Sequence, residues 1–502
     1  MRTKKFFYNS ATTAFYQIIV MIAGFITPRI MLKYYGSEIN GLVSSITQFI
    51  AYFNLVEAGL SGAAIYALYK PLADSDNSKI NSIVSAAKIF YTKSGYMFLS
   101  LTIGLAVFYP LYVKTDAITP VSMGILVVVL GINGVLEFFT LAKYRVLLSA
   151  DQKTYVISLA SLVHIFINTL IIVILGTMQV NIVALRTIAL LSIFTRTFIL
   201  MVYTGKKYKF LDYTVEPDYS SLDKRWDALY LQILGMVHKG SPVVILTLIL
   251  KDLKIVSIYV VFSMVIEGIN GILSIFISGL SASFGDVIAR KETRVLQKAY
   301  SEFEYVYYGL ITTVYATAFI TIMPFIRVYT KGITDINYDL PVIGFLFVLN
   351  GLLYNLKTPQ GMLVISAGLF KETKIQTTIQ GAIAVMVGII LAPTLGIAGV
   401  LIGSILSNIY RDIDLLFFIP KNVTNLSYKS TLKRILRIGI SIILICIPFL
   451  FITIEPTGYI DWAVNAMLIS VYSVFIVVFI NLVFEKEMMK SVLMRSIKIL
   501  KK

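Results

Sequence analysis

The hydrophobic positions of this chain form long continuous runs that recur from one end to the other, separated by short polar connections. A helix needs about 20 apolar residues to cross the hydrocarbon core of a membrane, and fourteen runs reach that length. The runs do not alternate apolar and polar positions, so they predict helices and not barrel strands. The predicted spans are 11–33, 39–69, 86–113, 121–148, 154–176, 180–204, 229–251, 255–285, 303–329, 340–366, 374–394, 397–419, 432–454 and 462–484.

The composition agrees with a protein that crosses a membrane many times. Of its 502 residues, 57% are hydrophobic and 14% are charged, and the mean hydropathy is +0.82. This composition is too apolar for a soluble protein of this size. The opening segment MRTKKFFYNSATTAF lacks a small-residue cleavage site, so we expect a retained first helix and no removable signal peptide. Cys446 is the only cysteine, which excludes an intrachain disulfide.

The positive charges are distributed asymmetrically. Most of the 44 Lys and Arg residues lie at the two ends and in the even-numbered connections between predicted spans. Because positive residues are retained on the cytoplasmic side, both termini are predicted to be cytoplasmic. The net charge of +17 is explained by this asymmetry beside an anionic leaflet, and no nucleic-acid partner is predicted. The tail EKEMMKSVLMRSIKILKK predicts an amphipathic basic helix on the membrane surface.

The first half of the chain is repeated in the second half at an offset of 214 to 220 residues. Four pairs occur in the same order, namely Pro28 with Pro242, Gly59 with Gly279, Ser149 with Ser366, and Arg196 with Arg411. An even number of crossings per copy gives both copies the same orientation in the membrane. The repeat predicts an all-α integral membrane protein with an N-terminal six-helix lobe at 1–204 and a cytoplasmic linker at 205–228. A C-terminal six-helix lobe follows at 229–420, and 421–502 adds two helices and a basic cytoplasmic tail. Two such lobes are typical of transporters.

Charged side chains inside the predicted helices are candidates for function, because each costs on the order of 3 kcal/mol to place at bilayer depth. Six are basic and three are acidic. The surplus of bases suits a cavity that binds a pyrophosphate, which guanidinium groups hold by paired hydrogen bonds. The basic candidates are Arg29, Arg186, Arg196, Lys239, Lys357 and Arg411, and the acidic candidates for ion coupling or as counterions are Glu57, Glu137 and Glu267.

The basic candidates have competing structural interpretations. Arg29 and Arg186 lie near the outer ends of their predicted helices, where they would either face a cavity or extend to the interface. Arg196 and Arg411 lie near the inner face, where the positive-inside bias alone would accept them.

Lys239 and Lys357 are placed deeper in their predicted helices. Each lies just before a proline that bends its helix and frees backbone groups, which favours a position on a cavity. His164 is expected to form an interhelical hydrogen bond, with proton coupling as the alternative.

Glu57 lies in the otherwise apolar or small stretch FNLVEAGLSGAAIY. Gly59 and Gly279 each begin a pair of small residues spaced by four, a spacing that lets two helices approach closely. At the same offset the counterpart of Glu57 is Ile277, so the second copy packs without an acid. This difference favours a cavity role for Glu57, in which it binds a proton or cation or pairs with a buried base. A structural hydrogen bond is the alternative.

The segment GSEINGLVSSITQFIAYFNLVEAGLSGAAIY, with the preceding PRIMLKYYG, resembles the second-helix signature of bacterial polysaccharide flippases. These are the Wzx-type members of the multidrug/oligosaccharidyl-lipid/polysaccharide exporter superfamily (the MOP superfamily). The resemblance implies a secondary transporter, without enzymatic activity or cofactor, that flips an undecaprenyl-pyrophosphate-linked oligosaccharide across the bacterial cytoplasmic membrane. It also implies alternating access driven by an H⁺ or Na⁺ gradient or by the membrane potential. The expected partners are a glycan polymerase and glycosyltransferases.

Two other functions remain open on the sequence. A multidrug or cation exporter of the same superfamily predicts an acid-rich cavity, and the surplus of bases argues against it. A membrane polysaccharide polymerase or glycosyltransferase would need catalytic acids or a metal motif on a sizeable loop. The longest outer connection, TKGITDINYD, has only about ten residues. No nucleotide-binding P-loop is present, so direct use of ATP is not expected.

Overall fold

A computed structural model of the chain describes residues 2–57, 60–219, 225–277 and 280–500, and it is helical throughout these ranges apart from short connections. The first helices are α1 (Arg2–Phe53), α2 (Leu60–Asp74), α3 (Asn77–Tyr112), α4 (Pro120–Leu136), α5 (Ala142–Ala150), α6 (Thr154–Thr177), α7 (Ile182–Leu190), α8 (Ile193–Lys207), α9 (Arg225–Ile245) and α10 (Leu253–Ile277). The remaining helices are α11 (Leu280–Ala289), α12 (Thr293–Tyr329), α13 (Pro341–Leu356), α14 (Thr358–Ala367), α15 (Lys374–Leu395), α16 (Ile397–Ile419), α17 (Tyr428–Cys446), α18 (Tyr459–Phe484) and α19 (Lys486–Leu500). The predicted all-α class is confirmed.

The predicted spans are helical, but the first two are divided differently. α1 contains the first span and residues 39–53 of the second, and α2 begins at Leu60 within the second. The backbone of α1 bends at Gly36, which has φ 82° and ψ 170°. Glycine adopts this left-handed region without the steric cost that a side chain would add. The segments 11–33 and 39–53 therefore form one helix with a bend between them.

Eleven segments of the described chain are long and apolar enough to cross a membrane, and the protein is a multi-pass membrane protein. The first predicted span, 11–33, and residues 39–57 of the second fall within one of these segments, Ala11–Glu57. The predicted spans 397–419 and 432–454 are helical, as α16 and α17, but they carry several charges. Charges in α16 include Arg411 and Asp414, and those in α17 include Arg434 and Arg437. The described chain therefore has eleven such segments against fourteen predicted spans, because the first two predicted spans join and α16 and α17 carry these charges.

The chain divides into two compact units, Met1–Val260 and Val261–Lys502. In the first unit, fully buried side chains such as Leu42, Phe98 and Leu126 form one hydrophobic core. The four segments predicted from the repeat, two lobes, a linker and a C-terminal addition, remain predictions. Gly59 and Gly279, which begin the predicted small-residue pairs, lie outside the described residues, as does the 220–224 portion of the predicted linker.

In the second unit, α12 packs against α17 and α18. Arg434 of α17 is buried and donates to Glu304 of α12 at 2.7 Å and to Glu485, at the end of α18, at 2.5 Å. Glu304 is only 1% exposed, so its charge depends on Arg434 for compensation. This ion-pair network attaches the last two predicted spans to the rest of the unit.

Candidate functional site

Glu57 occupies a 3₁₀ turn, Asn54–Glu57, at the end of α1. Its Oε1 accepts a hydrogen bond from Nη2 of Arg145, on α5, at 2.5 Å. The hydroxyl of Tyr91 donates to the same oxygen at 3.4 Å. The carboxylate is thus held by an ion pair with a residue 88 positions away in the sequence.

The ion pairs continue beyond Arg145. Its Nη1 donates to Oε1 of Glu137 at 3.0 Å, and Nη1 of Arg196 lies 3.6 Å from the same oxygen. We call the four residues Glu57, Arg145, Glu137 and Arg196 the charge chain. Acid and base alternate along it, so each inner member has two partners of opposite sign and the four charges balance.

A π-helical turn between α4 and α5 brings Glu137 and Arg145 onto one face. Eight residues separate them, which in a regular α-helix would place their side chains about 80° apart. The turn Glu137–Leu141 is π-helical and accommodates one extra residue. The pair is therefore oriented as if seven residues apart, within about 20° of the same direction.

The sequence analysis missed Arg145. It lies near the inner end of the predicted span 121–148, where the positive-inside bias alone accounts for an arginine. The sequence feature that could have indicated a role for Arg145 was Glu137, eight residues earlier. This spacing becomes a contact only through the π-helical turn, which the sequence pattern does not indicate.

Glu57 and Arg145 line a cavity of about 640 Å³ in the first unit. Lys239 of α9 lines the same cavity, together with the polar side chains of Gln48, Tyr52, Asn54 and Ser61. Pockets of this volume are typical of small-molecule sites. Lys239 has no ion-pair partner among the described residues, so the charged groups facing the cavity include one more base than acid.

Arg29 and Arg186 do not line this cavity within the described part of the chain. Arg29 lies on α1 before the bend, and Arg186 lies on α7. The Nε atom of Arg186 is buried without a hydrogen-bond partner. Their predicted role in substrate binding remains a prediction.

In the second unit, Lys357 lies at the junction of α13 and α14. Its Nζ donates to Oδ1 of Asn408 at 2.5 Å and lies 4.8 Å from the ring centre of Tyr354. Arg411 is 6% exposed and pairs with Asp414 at 2.5 Å. Arg196 and Arg411, which the predicted repeat aligns, therefore each lie beside a carboxylate of their own unit.

Asp412 and Asp414 were also missed by the sequence analysis. Both carboxylate oxygens of Asp412 are buried without a hydrogen-bond partner, and its charge acts on Lys357. The signal was visible in SNIYRDIDLL, where the two acids lie one and three residues after Arg411.

The two remaining candidates have simpler surroundings. Glu267 is exposed on α10 and forms no ion pair with any described residue, so its role as a counterion stays a prediction. Nδ1 of His164, on α6, lies 3.1 Å from Oγ of Ser192 between α7 and α8, which is the geometry of the expected interhelical hydrogen bond.

No family model matches this chain, and no curated protein matches it. Solved structures do. A lipid II flippase, MurJ, in an inward closed conformation aligns with a TM-score of 0.67 and 14% identity over 96% of this chain and 99% of that chain. An inward-facing multidrug resistance MATE family transporter of the MOP superfamily aligns with a TM-score of 0.61 and 15% identity over 84% and 99%.

A MOP superfamily transporter from Pyrococcus furiosus aligns less closely, with a TM-score of 0.50 and 15% identity over 80% of this chain and 95% of that chain. The structural alignments show a shared fold, and at 14–15% identity they show the fold alone. The chain has the fold shared by these transporters of the MOP superfamily.

Proposed function

We propose that this protein is a flippase that moves an undecaprenyl-pyrophosphate-linked oligosaccharide across the bacterial cytoplasmic membrane, as a secondary transporter and not an enzyme. The observation that carries the proposal is the 640 Å³ cavity in which Arg145 and Lys239 face Glu57. Two bases against one acid suit an anionic pyrophosphate better than a cationic drug. The same proposal places both termini in the cytoplasm. It also includes a glycan polymerase and glycosyltransferases as partners.

The extent of the structural similarity supports a lipid-linked substrate. The lipid II flippase aligns with 96% of this chain, whereas the MATE transporter described above aligns with 84%. The protein with the more extensive match is named as a flippase of lipid II, and we propose a lipid-linked substrate here.

The charge chain offers a way to couple substrate to an ion. Arg145 holds Glu57 and Glu137 at the same time. A pyrophosphate entering the cavity would compete for the guanidinium of Arg145, because phosphate oxygens accept its paired hydrogen bonds as a carboxylate does. Glu57 would then lose its counterion and bind a proton or a cation. A substrate that binds one state of this network more tightly than the other shifts the alternating-access equilibrium.

Complementation of a flippase-deleted strain tests this proposal. We expect wild type to restore surface polysaccharide, and Lys239→Ala and Lys357→Ala to restore little of it at normal protein abundance. Lys421→Ala, which changes an exposed lysine in the turn after α16, is the matched control and should complement fully. Wild-type polysaccharide in both test variants would exclude these lysines from the substrate path.

A second comparison isolates the charge of Glu57. Glu57→Gln keeps the shape of the side chain and can still accept a hydrogen bond from Arg145, but it cannot carry a negative charge. We expect it to insert normally and to fail in complementation, while Glu57→Asp retains part of the activity. Full activity of Glu57→Gln would leave only a structural hydrogen bond for this residue, worth roughly 0.6 kcal/mol.

The multidrug exporter is the competing function. In a strain that lacks its own exporters, the wild-type protein should leave drug susceptibility unchanged. Restored resistance to cationic drugs, together with failure to restore surface polysaccharide, would replace the flippase with an exporter.

A further inference from the structure

A second large cavity, of about 560 Å³, lies in the second unit, between the start of α12 and α19. Arg294, Lys298 and Glu302 of α12 and Ser491, Met494 and Arg495 of α19 are among the residues that line it. None of these residues belongs to the candidate site described above. We call this cavity the α12/α19 groove.

Glu302 attaches α19 to α12. Its side chain is buried, with 5% of the residue exposed. It accepts a hydrogen bond from Oγ of Ser491 at 2.7 Å. It also forms an ion pair with Arg495, whose Nη1 lies 2.6 Å from Oε2 of Glu302. The charges of Glu302 and Arg495 therefore satisfy each other and hold the two walls of the groove together.

Arg294 and Lys298 leave the groove with a surplus of positive charge. Both are exposed, and neither has an ion-pair partner among the described residues. They are four residues apart on α12, so their side chains lie on the same face of the helix. Lys298 also acts on Glu302 through its charge, so the groove holds three bases, Arg294, Lys298 and Arg495, against one acid. This surplus of two positive charges makes the groove complementary to an anion.

The depth of the groove corresponds to the lipid headgroups. The apolar stretch of α12 begins near 303, five residues after Lys298, which is about 8 Å along a helix. The headgroup layer on each side of a bilayer is roughly 5–8 Å thick. With the predicted span 303–329 taken as the part of α12 inside the hydrocarbon core, Glu302 falls at the edge of that core and Lys298 at the height of lipid phosphates.

The groove also exposes apolar surface. Val295 is 50% exposed and Met494 is 60% exposed, and both line it. A soluble anion such as inorganic phosphate gains nothing from these side chains. A phospholipid presents glycerol and acyl groups directly beside its phosphate, so it matches both the bases and the apolar surface.

We propose that the α12/α19 groove binds the phosphate of an anionic phospholipid. Arg294 and Lys298 hold the phosphate, Val295 and Met494 contact the adjoining glycerol and chains, and the Glu302–Arg495 pair holds together the two helices that form the groove. This site is separate from the transport cavity and does not depend on the proposed substrate.

Native mass spectrometry of the purified full-length protein in neutral detergent tests the proposal. The protein is titrated with phosphatidylglycerol and, separately, with phosphatidylcholine. We expect wild type to prefer phosphatidylglycerol, and the double variant Arg294→Gln/Lys298→Gln to lose about tenfold in affinity for that lipid. Lys371→Gln/Lys421→Gln removes the same charge at exposed positions outside the groove and should bind like wild type.

A charge-preserving variant controls for folding. Arg294→Lys/Lys298→Arg keeps both charges, and we expect it to retain the preference for phosphatidylglycerol. Unchanged lipid preference in Arg294→Gln/Lys298→Gln would overturn the proposal, and so would an equal loss in the Lys371→Gln/Lys421→Gln control. Displacement of the lipid by millimolar inorganic phosphate would show a small-anion site and would overturn the lipid assignment.

Discussion

The charge chain makes a quantitative prediction that depends on Arg145 having two carboxylate partners. Its guanidinium lies 2.5 Å from Glu57 and 3.0 Å from Glu137. At a charge separation of 4 Å and an effective dielectric constant of about 20, each attraction amounts to about 4 kcal/mol before desolvation. The side chain of Arg145 is 27% exposed and that of Glu57 is 17% exposed. Solvent screening and desolvation therefore reduce the net contribution of each ion pair to stability to about 1–2 kcal/mol.

The shared position of Arg145 between two carboxylates predicts how the stabilities of three variants rank. We expect Glu57→Gln to lower the free energy of unfolding by about 1–2 kcal/mol, because one ion pair becomes a neutral hydrogen bond. Arg145→Gln should lower it by about 2–4 kcal/mol, because two carboxylates lose a partner. The double variant should be less destabilised than the sum, since removing the charge of Glu57 also removes one of the uncompensated acids.

Reversible unfolding of the four proteins in mixed detergent micelles gives the double-mutant cycle. We expect a coupling energy of about 1–2 kcal/mol between Glu57 and Arg145. Arg327 and Asp339, at 3.1 Å and about half exposed, form the control pair, and the cycle Arg327→Gln/Asp339→Asn should give less than about 0.5 kcal/mol. Additive effects at Glu57 and Arg145, indistinguishable from the control, would refute the ion pair and the coupling mechanism built on it.

Three further predictions concern packing, the second unit and topology. Gly41→Ala should destabilise the protein by about 1–3 kcal/mol, because the added carbon overlaps a backbone carbonyl at the start of α10. Gly24→Ala meets no neighbouring atom and should leave the free energy of unfolding unchanged in the same assay. Arg434→Gln should cost about 3–5 kcal/mol, because it leaves a carboxylate that is 1% exposed without its base, and wild-type stability would contradict this. A cysteine at Asn337 should react with an impermeant thiol reagent added outside whole cells and one at Ser221 should not, and the reverse labelling would invert the topology.

The sequence predicted the helices because helix formation in lipid is decided locally. Each run of about 20 apolar residues must satisfy its own backbone hydrogen bonds, so the spans could be read from hydropathy alone. α15, for example, covers Lys374–Leu395 against a predicted span of 374–394. Glu57 was recognised for the same local reason, since an acid in an apolar segment is costly wherever the helix packs.

The partners of these charges could not be predicted from local pattern. The contact between Glu57 and Arg145 joins residues 88 positions apart, and it depends on the 3₁₀ turn after α1 and the π-helical turn before α5. Neither turn alters hydropathy, but each rotates the side chains that follow it. Hydrophobicity therefore determined which segments are helices. Helix rotation and packing involve residues far apart in the chain, and they decided that Arg145 links Glu57 to Glu137. They also decided that, of the predicted bases, Lys239 shares a cavity with Glu57.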